Sequence, residues 1–337
     1  MCSRRAIQFE QRNCTIYTPQ IGDVAIFEVT KGNGHYLVNE EGVIRDIFDG
    51  DTIMAAFGNR YATSQVEGYV PSQPIEYCHL LGRGGVAGEL KSVSALMRKE
   101  PSQIKLLGYA TDESGKVINT IQYDQLESFS PLTIKSKVIL SIGSSMDSGK
   151  TTTAAYLCGG LSAAGHKTAY LKLTGTAFPK DGRFVYDRGA DFVADFTHFG
   201  YPSTFLCDYK ELLDLYQSLI NLAQEAIDPE YIVVEIADGI LQRETAMFLK
   251  DSRFMNTVYD VILSCGDSLG VMSALNILEN MNILPFAISG LFTASDLLVE
   301  EVKPLVNFPV LKLNDLLNGT ALNYLQKEYY KGEVTEF

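Results

Sequence analysis

The rhythm of apolar and polar positions changes near residue 137. Before it, short stretches of alternating character are parted by turn-forming clusters. DVAIFEV (residues 23–29) runs into the turn KGNG (31–34); HYLVN, GVIRDIF and DTIMAAFG follow, separated by Asn-Glu-Glu-Gly and Asp-Gly-Asp. IKLLGYA and KVINTI are joined by Thr-Asp-Glu-Ser-Gly, a good hairpin connection. Alternation at period two puts successive side chains on opposite faces of a strand. Many such strands at close spacing predict a small antiparallel barrel or sandwich over residues 16–125, with residues 90–99 as its one helix.

After 137 the pattern becomes strand and helix in alternation. Apolar runs at 138–142, 168–172, 231–236, 261–264 and 284–289 read as buried strands, with a short last one near Val310. Helices are expected at 150–164, 209–226, 241–249, 271–280 and 294–302. This predicts an α/β fold, a mostly parallel sheet with helices on both faces, whose ligands sit beyond the C-terminal ends of the strands. The expected division is an N-terminal β-rich, barrel-like domain at 1–128, a linker at 129–137, the α/β domain at 138–315 and a tail at 316–337. The tail, with Tyr324, Tyr329 and Tyr330, is expected to form a helix docking on a neighbour.

Candidate chemistry concentrates where the rhythm changes. Residues 137–153 read KVILSIGSSMDSGKTTT: a strand, a break at Gly143, small and polar residues, then Gly149-Lys150-Thr151 entering a helix. That order is a P-loop, in which loop N–H groups and the positive end of the helix face phosphate oxygens. The phosphate-binding set is Gly143, Ser144, Ser148, Gly149, Lys150, Thr151 and Thr152. Lys150 reaches the outer phosphates and the Thr151 hydroxyl holds Mg²⁺. Asp147, inside the loop, is placed to touch a nucleophile or water near the γ-phosphate. The usual spacing puts a glycine five residues before Gly149; here Ser144 stands there and Gly143 comes one position earlier.

Other candidates lie at the ends of later strands. YIVVEIADG brings Glu235 to the end of a buried run, with Asp238 just after, and a carboxylate beside a P-loop is where Mg²⁺ needs an oxygen. Glu235 is preferred to Asp238. Lys172 ends the second strand, facing the place of a transferred phosphoryl group or an acidic substrate, with Thr174 and Thr176 beyond it. Asp187, Asp191 and Asp195, spaced by four, would share one helix face, with His198 after them. They form either a solvated acidic face or a site near a cation. GRGGVAG (82–88) is either a glycine-rich bend where segments approach closely or an anion-binding loop presenting Arg83.

Charge and composition narrow the classes. The net charge of −13 argues against nonspecific binding to nucleic acid or an acidic membrane surface. No apolar run approaches 18 residues, and the first residues lack the apolar core of a signal peptide. The six cysteines (Cys2, Cys14, Cys78, Cys158, Cys207 and Cys265) are scattered, without Cys-x-x-Cys, as for reduced thiols in a cytoplasmic protein.

The loop SSMDSGKTTT, the strand ending VVEIADG and the stretch Lys172-Leu-Thr-Gly resemble the dethiobiotin-synthetase-like branch of the SIMIBI class of P-loop NTPases, over residues 137–312. The resemblance implies Lys150 and Thr151 on phosphate and Mg²⁺, Glu235 at the metal and Lys172 near an acceptor substrate. It also implies a base pocket lined by residues 289–292 and 309–311, and activation of a carboxylate or carbamate by ATP, often across a dimer interface. Together these readings give an ATP- and Mg²⁺-dependent phosphoryl-transfer enzyme, a ligase or small-molecule kinase. Its partners are a small-molecule acceptor and further copies of the chain, with no nucleic acid and no membrane. A regulatory or assembly NTPase, a nucleotide sensor and a ring-forming translocase are the alternatives. The synthetases that carry the resemblance have no counterpart of the N-terminal β-domain.

Overall fold

The structure is a computed structural model that describes residues 8–10, 16–39 and 42–325. Cys2, Cys14, Tyr329 and Tyr330 lie outside the described residues. The chain divides into two compact units. The first comprises Met1–Glu127 with Thr174–Lys180 and Phe196–Leu215; the second comprises Ser128–Leu173, Asp181–Asp195 and Tyr216–Phe337.

The first unit carries strands β1 (Gln8–Glu10), β2 (Val24–Lys31), β3 (Tyr36–Val38), β4 (Ile44–Asp46), β5 (Thr52–Phe57), β6 (Arg60–Tyr61), β7 (Val66–Tyr69), β8 (Tyr77–Gly82), β9 (Val86–Val93) and β10 (Gln103–Thr111). Five of them close a ring: β10 pairs β2, β2 pairs β5, β5 pairs β9, β9 pairs β8, and β8 returns to β10. All these pairings are antiparallel except β5–β9, a parallel contact of Ala56 with Val86 and Phe57 with Ala87. The expected antiparallel, barrel-like domain is therefore present. Alternation works as it should: Ala25, Phe27 and Val29 of β2 turn into a core shared with Phe57, Leu80, Ile104 and Tyr109.

Two local expectations fail here. Residues 90–99 form no helix, because 90–93 continue β9, which pairs with β7 on one side as well as β8 on the other. Cross-strand partners override the helix-forming composition of that stretch. KVINTI makes only single bridges, Thr111 with Val117 and Asp23 with Asn119, instead of a strand. The glycine-rich 82–88 runs from the end of β8 into β9, with residues 83–85 as the hairpin turn between them. A Cβ on Gly84 would lie 1.9 Å from the Ala177 carbonyl oxygen, so the close approach of two segments is what requires glycine there.

The second unit contains β11 (Lys137–Gly143), α1 (Lys150–Ala163), β12 (Thr168–Lys172), α2 (Lys180–Arg188), β13 (Phe192–Asp195), α3 (Tyr209–Ile227), β14 (Tyr231–Glu235), α4 (Arg243–Lys250), α5 (Ser252–Met255), β15 (Val258–Ser264), α6 (Ser268–Glu279), β16 (Ala287–Ser289), α7 (Asp296–Val302) and α8 (Leu313–Leu317); α2 and α3 also run into segments assigned to the first unit. The sheet runs β13-β12-β14-β11-β15-β16, every pairing parallel. β14 is buried along its whole length, which is why its sequence is an unbroken apolar run up to Glu235. Val310 supplies only a single parallel bridge to Ile288. The acidic helix face does not exist. Asp187 is in α2, Asp191 lies in the turn after it and accepts from the Thr168 N–H at 2.8 Å, and Asp195 ends β13. A four-residue strand breaks the spacing that would have aligned them. Among the described residues no helix is long and apolar enough to cross a membrane.

One face of this sheet sets up everything that follows. Ile139, Tyr170, Val233, Ile262 and Ala287, one from each of five strands, pack with Ala154, Leu157, Cys158 and Leu161 of α1 in a single core. Two residues further along each strand the same face is presented again. Those positions are Ser141, Lys172, Glu235, Ser264 and Ser289, so the apolar face turns polar as the strands emerge from beneath α1.

Candidate functional site

Register makes that polar edge a row. Asp195 pairs with Lys172, Lys172 with Glu235 and Glu235 with Ser141; beyond Ser141, Gly143 pairs with Ser264 and Ser264 with Ser289. The loop between β11 and α1 crosses this edge. Gly149 is the N-cap of α1, with φ +96°, and Asp147 also takes positive φ, +60°, with its side chain exposed.

The spacing of the loop now has a physical reason. A Cβ on Gly143 would lie 2.2 Å from Ser148 Oγ and 2.7 Å from Lys150 Cγ. The glycine that this turn needs is Gly143, over which the Lys150 stem passes, and position 144 can carry a serine. The loop is also gripped through its backbone. The Ser144 N–H donates to Ser264 O at 2.9 Å, Ile240 N–H to Gly143 O at 2.9 Å, and Leu291 N–H to Ser148 O at 3.0 Å. Gly239 and Gly290 sit against it: a Cβ on the first would be 2.7 Å from Ser145 Cα, and on the second 2.5 Å from Ser148 O.

Glu235 is the electrostatic centre. Only 1% exposed, it accepts the Thr151 hydroxyl hydrogen on Oε1 at 3.0 Å and the Tyr170 hydroxyl on Oε2 at 2.8 Å. The Lys172 ammonium stands 3.4 Å from Oε1 and also pairs with Asp181 of α2. A buried carboxylate needs such partners, since an unpaired charge in the interior is costly. Burial alone would push the Lys172 ammonium down, but Glu235 and Asp181 outweigh it and raise its pKa, so this lysine stays charged. Burial, then Glu235, holds the Tyr170 phenol well above its usual range. Lys150 is shifted the other way. Burial lowers its pKa, Glu235, Asp238 and Asp147 offset part of that effect, and its ammonium donates to Ser145 O at 2.8 Å.

The donor set fits a Mg²⁺ ion held mostly by phosphate and water. Mg²⁺ is commonly bound through one or two protein oxygens plus substrate phosphates, and among the described residues no group of three or more His, Cys, Asp or Glu could hold a metal by itself. Because Glu235 takes the Thr151 hydrogen, the hydroxyl's lone pairs are available to a cation. Five buried hydroxyls around the loop, those of Ser141, Ser148, Thr153, Ser264 and Ser289, have no hydrogen-bond partner. Buried polar groups without partners are rare, and they concentrate here at the edge where a polar ligand would lie.

Beside the helix N-terminus a cavity of 260 Å³ is lined by Gly149, Thr152, Thr153, Gly290, Leu291 and Lys312, among others. It includes part of the segment 289–292, and reaches residues 312–314 just past 309–311.

Strand, loop and helix in this order, with the loop strand flanked by one ending in a buried carboxylate, define the fold. The second unit is a P-loop NTPase fold. No protein-family model matches the chain, and no curated protein matches it in sequence. Among solved structures it is similar to FtsY from Mycoplasma mycoides (13% identity over 57% of this chain and 69% of that one, TM-score 0.37). It is similar also to a DUF1611 family protein from Anabaena variabilis (10% identity, 59% and 60%, TM-score 0.41). A third is the signal recognition particle 54 kDa protein from Aeropyrum pernix K1 in complex with GDP (19% identity, 48% and 37%, TM-score 0.34). The matched regions span less than two thirds of the latter two chains.

Of the candidates read from sequence, Lys150, Thr151, Lys172 and Glu235 converge through the contacts above, with Gly143, Ser144, Ser148 and Gly149 in the loop itself. Thr152 lines the cavity. Thr174, Thr176 and Arg83 belong to the first unit, and His198 lies in its short turn Phe196–Phe199. Sequence reading does not single out Tyr170 or Asp181 as site residues, and it reaches Gly290 only as part of the base-pocket segment 289–292 that the resemblance implies. Tyr170 had one sequence signal, its place two residues before Lys172 on the same strand face.

Proposed function

We propose that the chain binds a nucleoside triphosphate, ATP in preference, with Mg²⁺ at the loop of residues 143–151, and transfers the γ-phosphoryl group to a small-molecule acceptor. The reading is that of a ligase or small-molecule kinase, of the kind found in the dethiobiotin-synthetase-like branch. The observation that carries it is the cluster Lys150–Thr151–Glu235–Lys172, two lysines and a metal-competent hydroxyl organised around one buried carboxylate at the N-terminus of α1.

Each residue has a definite part. Loop N–H groups and the start of α1 face the phosphates, and Lys150 exchanges its bond to Ser145 O for a phosphate oxygen. Thr151 supplies the metal's protein oxygen while Glu235 orients its hydroxyl. Bound Mg²⁺ neutralises charge on the outer phosphates. Lys172, kept charged by two carboxylates, stands where negative charge gathers on the transferred group or on an acidic acceptor. Positioning and charge neutralisation supply most of the catalysis in such sites.

The test is equilibrium binding of ATP and GTP with Mg²⁺, run beside phosphate release without acceptor. Tight binding with little release is expected. Lys150→Ala should lose about 2–3 kcal/mol of binding, roughly a hundredfold in affinity, with an unchanged thermal melt. Equal affinity in the variant overturns the assignment. Brisk acceptor-independent release would replace phosphoryl transfer with a switch.

A further inference from the structure

A second, larger cavity than the one beside α1 lies in the first unit, away from the phosphate loop in sequence. Its volume is 670 Å³, within the range of small-molecule sites. It is bounded by the β8–β9 turn, the residues after β9 and the segment Thr174–Lys180, all of them in that unit. Its charge runs against the rest of the protein. The chain has 41 acidic and 28 basic residues, yet His35, Arg60, Arg83, Arg98 and Lys99 line this cavity. No aspartate or glutamate is among the described residues that do so.

The cations differ in what already holds them. The half-buried Arg60 guanidinium donates to Leu81 O and to Gln65 Oε1, which fixes it in the wall. Arg83 lies over the Tyr36 ring, 4.3 Å from its centre, and donates to the Tyr36 hydroxyl. Among the described residues, no carboxylate pairs with Arg83, Arg98 or Lys99. Three side chains of one sign lining one cavity without counter-ions leave its positive charge uncompensated, an arrangement that an anion relieves. His35 adds a neutral donor. The Ser102 N–H donates to its Nδ1 at 3.1 Å, so Nε2 carries the proton. Burial, and then the positive charges of Arg83 and Lys99, push its pKa down.

We propose that this cavity is a second ligand site, binding a small organic anion with two or more acidic groups, carboxylate or phosphate, held by Arg83, Arg98 and Lys99. Leu80, Leu81, Met97 and Phe178 give it apolar walls, so the ligand carries a carbon skeleton between its charges. The site stands independently of the nucleotide reading.

The experiment is calorimetric titration of the whole chain, at neutral pH, fixed ionic strength and without metal. One arm uses citrate and the other fructose 1,6-bisphosphate. Saturable binding of at least one probe, one per chain, is expected, and the tighter arm tells carboxylate from phosphate. The triple variant Arg83→Gln, Arg98→Ala, Lys99→Ala should weaken binding at least about tenfold, since hydrogen bonds to charged groups are strong. Lys150→Ala should leave it unchanged. Arg98 and Lys99 are exposed, so Arg98→Glu alone, which need not disturb the fold, should weaken binding in the same direction. Absence of binding in both arms overturns the proposal. So does binding that survives the triple variant, or that Lys150→Ala abolishes.

Discussion

Glu235 shows how one carboxylate can organise a site. Its two oxygens are shared among a threonine of α1 and a tyrosine and a lysine two residues apart on β12. Removing Lys172 leaves the charge buried with its hydrogen bonds but without the ammonium in contact with it, Lys150 acting only from further off. Lys172→Met should therefore destabilise the chain by about 3 kcal/mol, read as a fall in the urea midpoint, whereas Glu235→Gln combined with Lys172→Met should recover most of the loss. Lys150 leads to a pH prediction. Its pKa in the free protein lies below the ordinary 10.5, and phosphate binding favours the ammonium. Protein without ligand loses that proton first as pH rises, so nucleotide affinity should fall at pH values below 10.5. A titration series whose affinity stays flat until the normal lysine range would contradict the burial argument.

At the scale of elements, the loop is a turn held from outside. Gly290 has φ +107° and its missing Cβ keeps 2.5 Å contacts from forming with Cys265 N and Ser148 O. Gly290→Ala should cost about 1–3 kcal/mol and weaken nucleotide binding with it. Gly165 is the control: it also has positive φ, +92°, but nothing within 4 Å, so Gly165→Ala should lower the melting temperature without touching binding. Elements were legible where burial imposed one pattern. β11, β12 and β14 are central strands and read as unbroken apolar runs. β13 has four residues between acidic turns and left no such trace; β9 carries helix-forming residues that sheet partners override. The polar row was visible only as separate strand ends. Nothing in one sequence states which strands are neighbours, so Tyr170 looked like core, and Gly290 fell in an expected base-pocket segment without its grip on the loop being visible.

At the scale of the whole molecule, the β-rich unit is not one continuous stretch. Phe205, from its third segment, stacks on Tyr61 with ring centres 5.1 Å apart and accepts from Asn59 Nδ2 at 3.3 Å. Ala177, from the second, fills the space beside Gly84. A fragment ending at Glu127 loses both and exposes the surfaces they cover. It should melt well below the intact chain or show no cooperative transition by circular dichroism. Composition alone suggested a cut near residue 128, because nothing in the residues of the two later segments marks them as belonging to the barrel.

The ring of five strands has unequal joints. Four are ladders of several residue pairs, and the fifth, between β5 and β9, is two pairs long. A hoop opens where its clasp is shortest. The clasp residues Val86 and Ala87 begin three positions after Arg83, at the foot of the turn that walls the cationic cavity. Any pull on that turn is felt first at the clasp, so the barrel's mechanical weak point and its charged mouth are one neighbourhood.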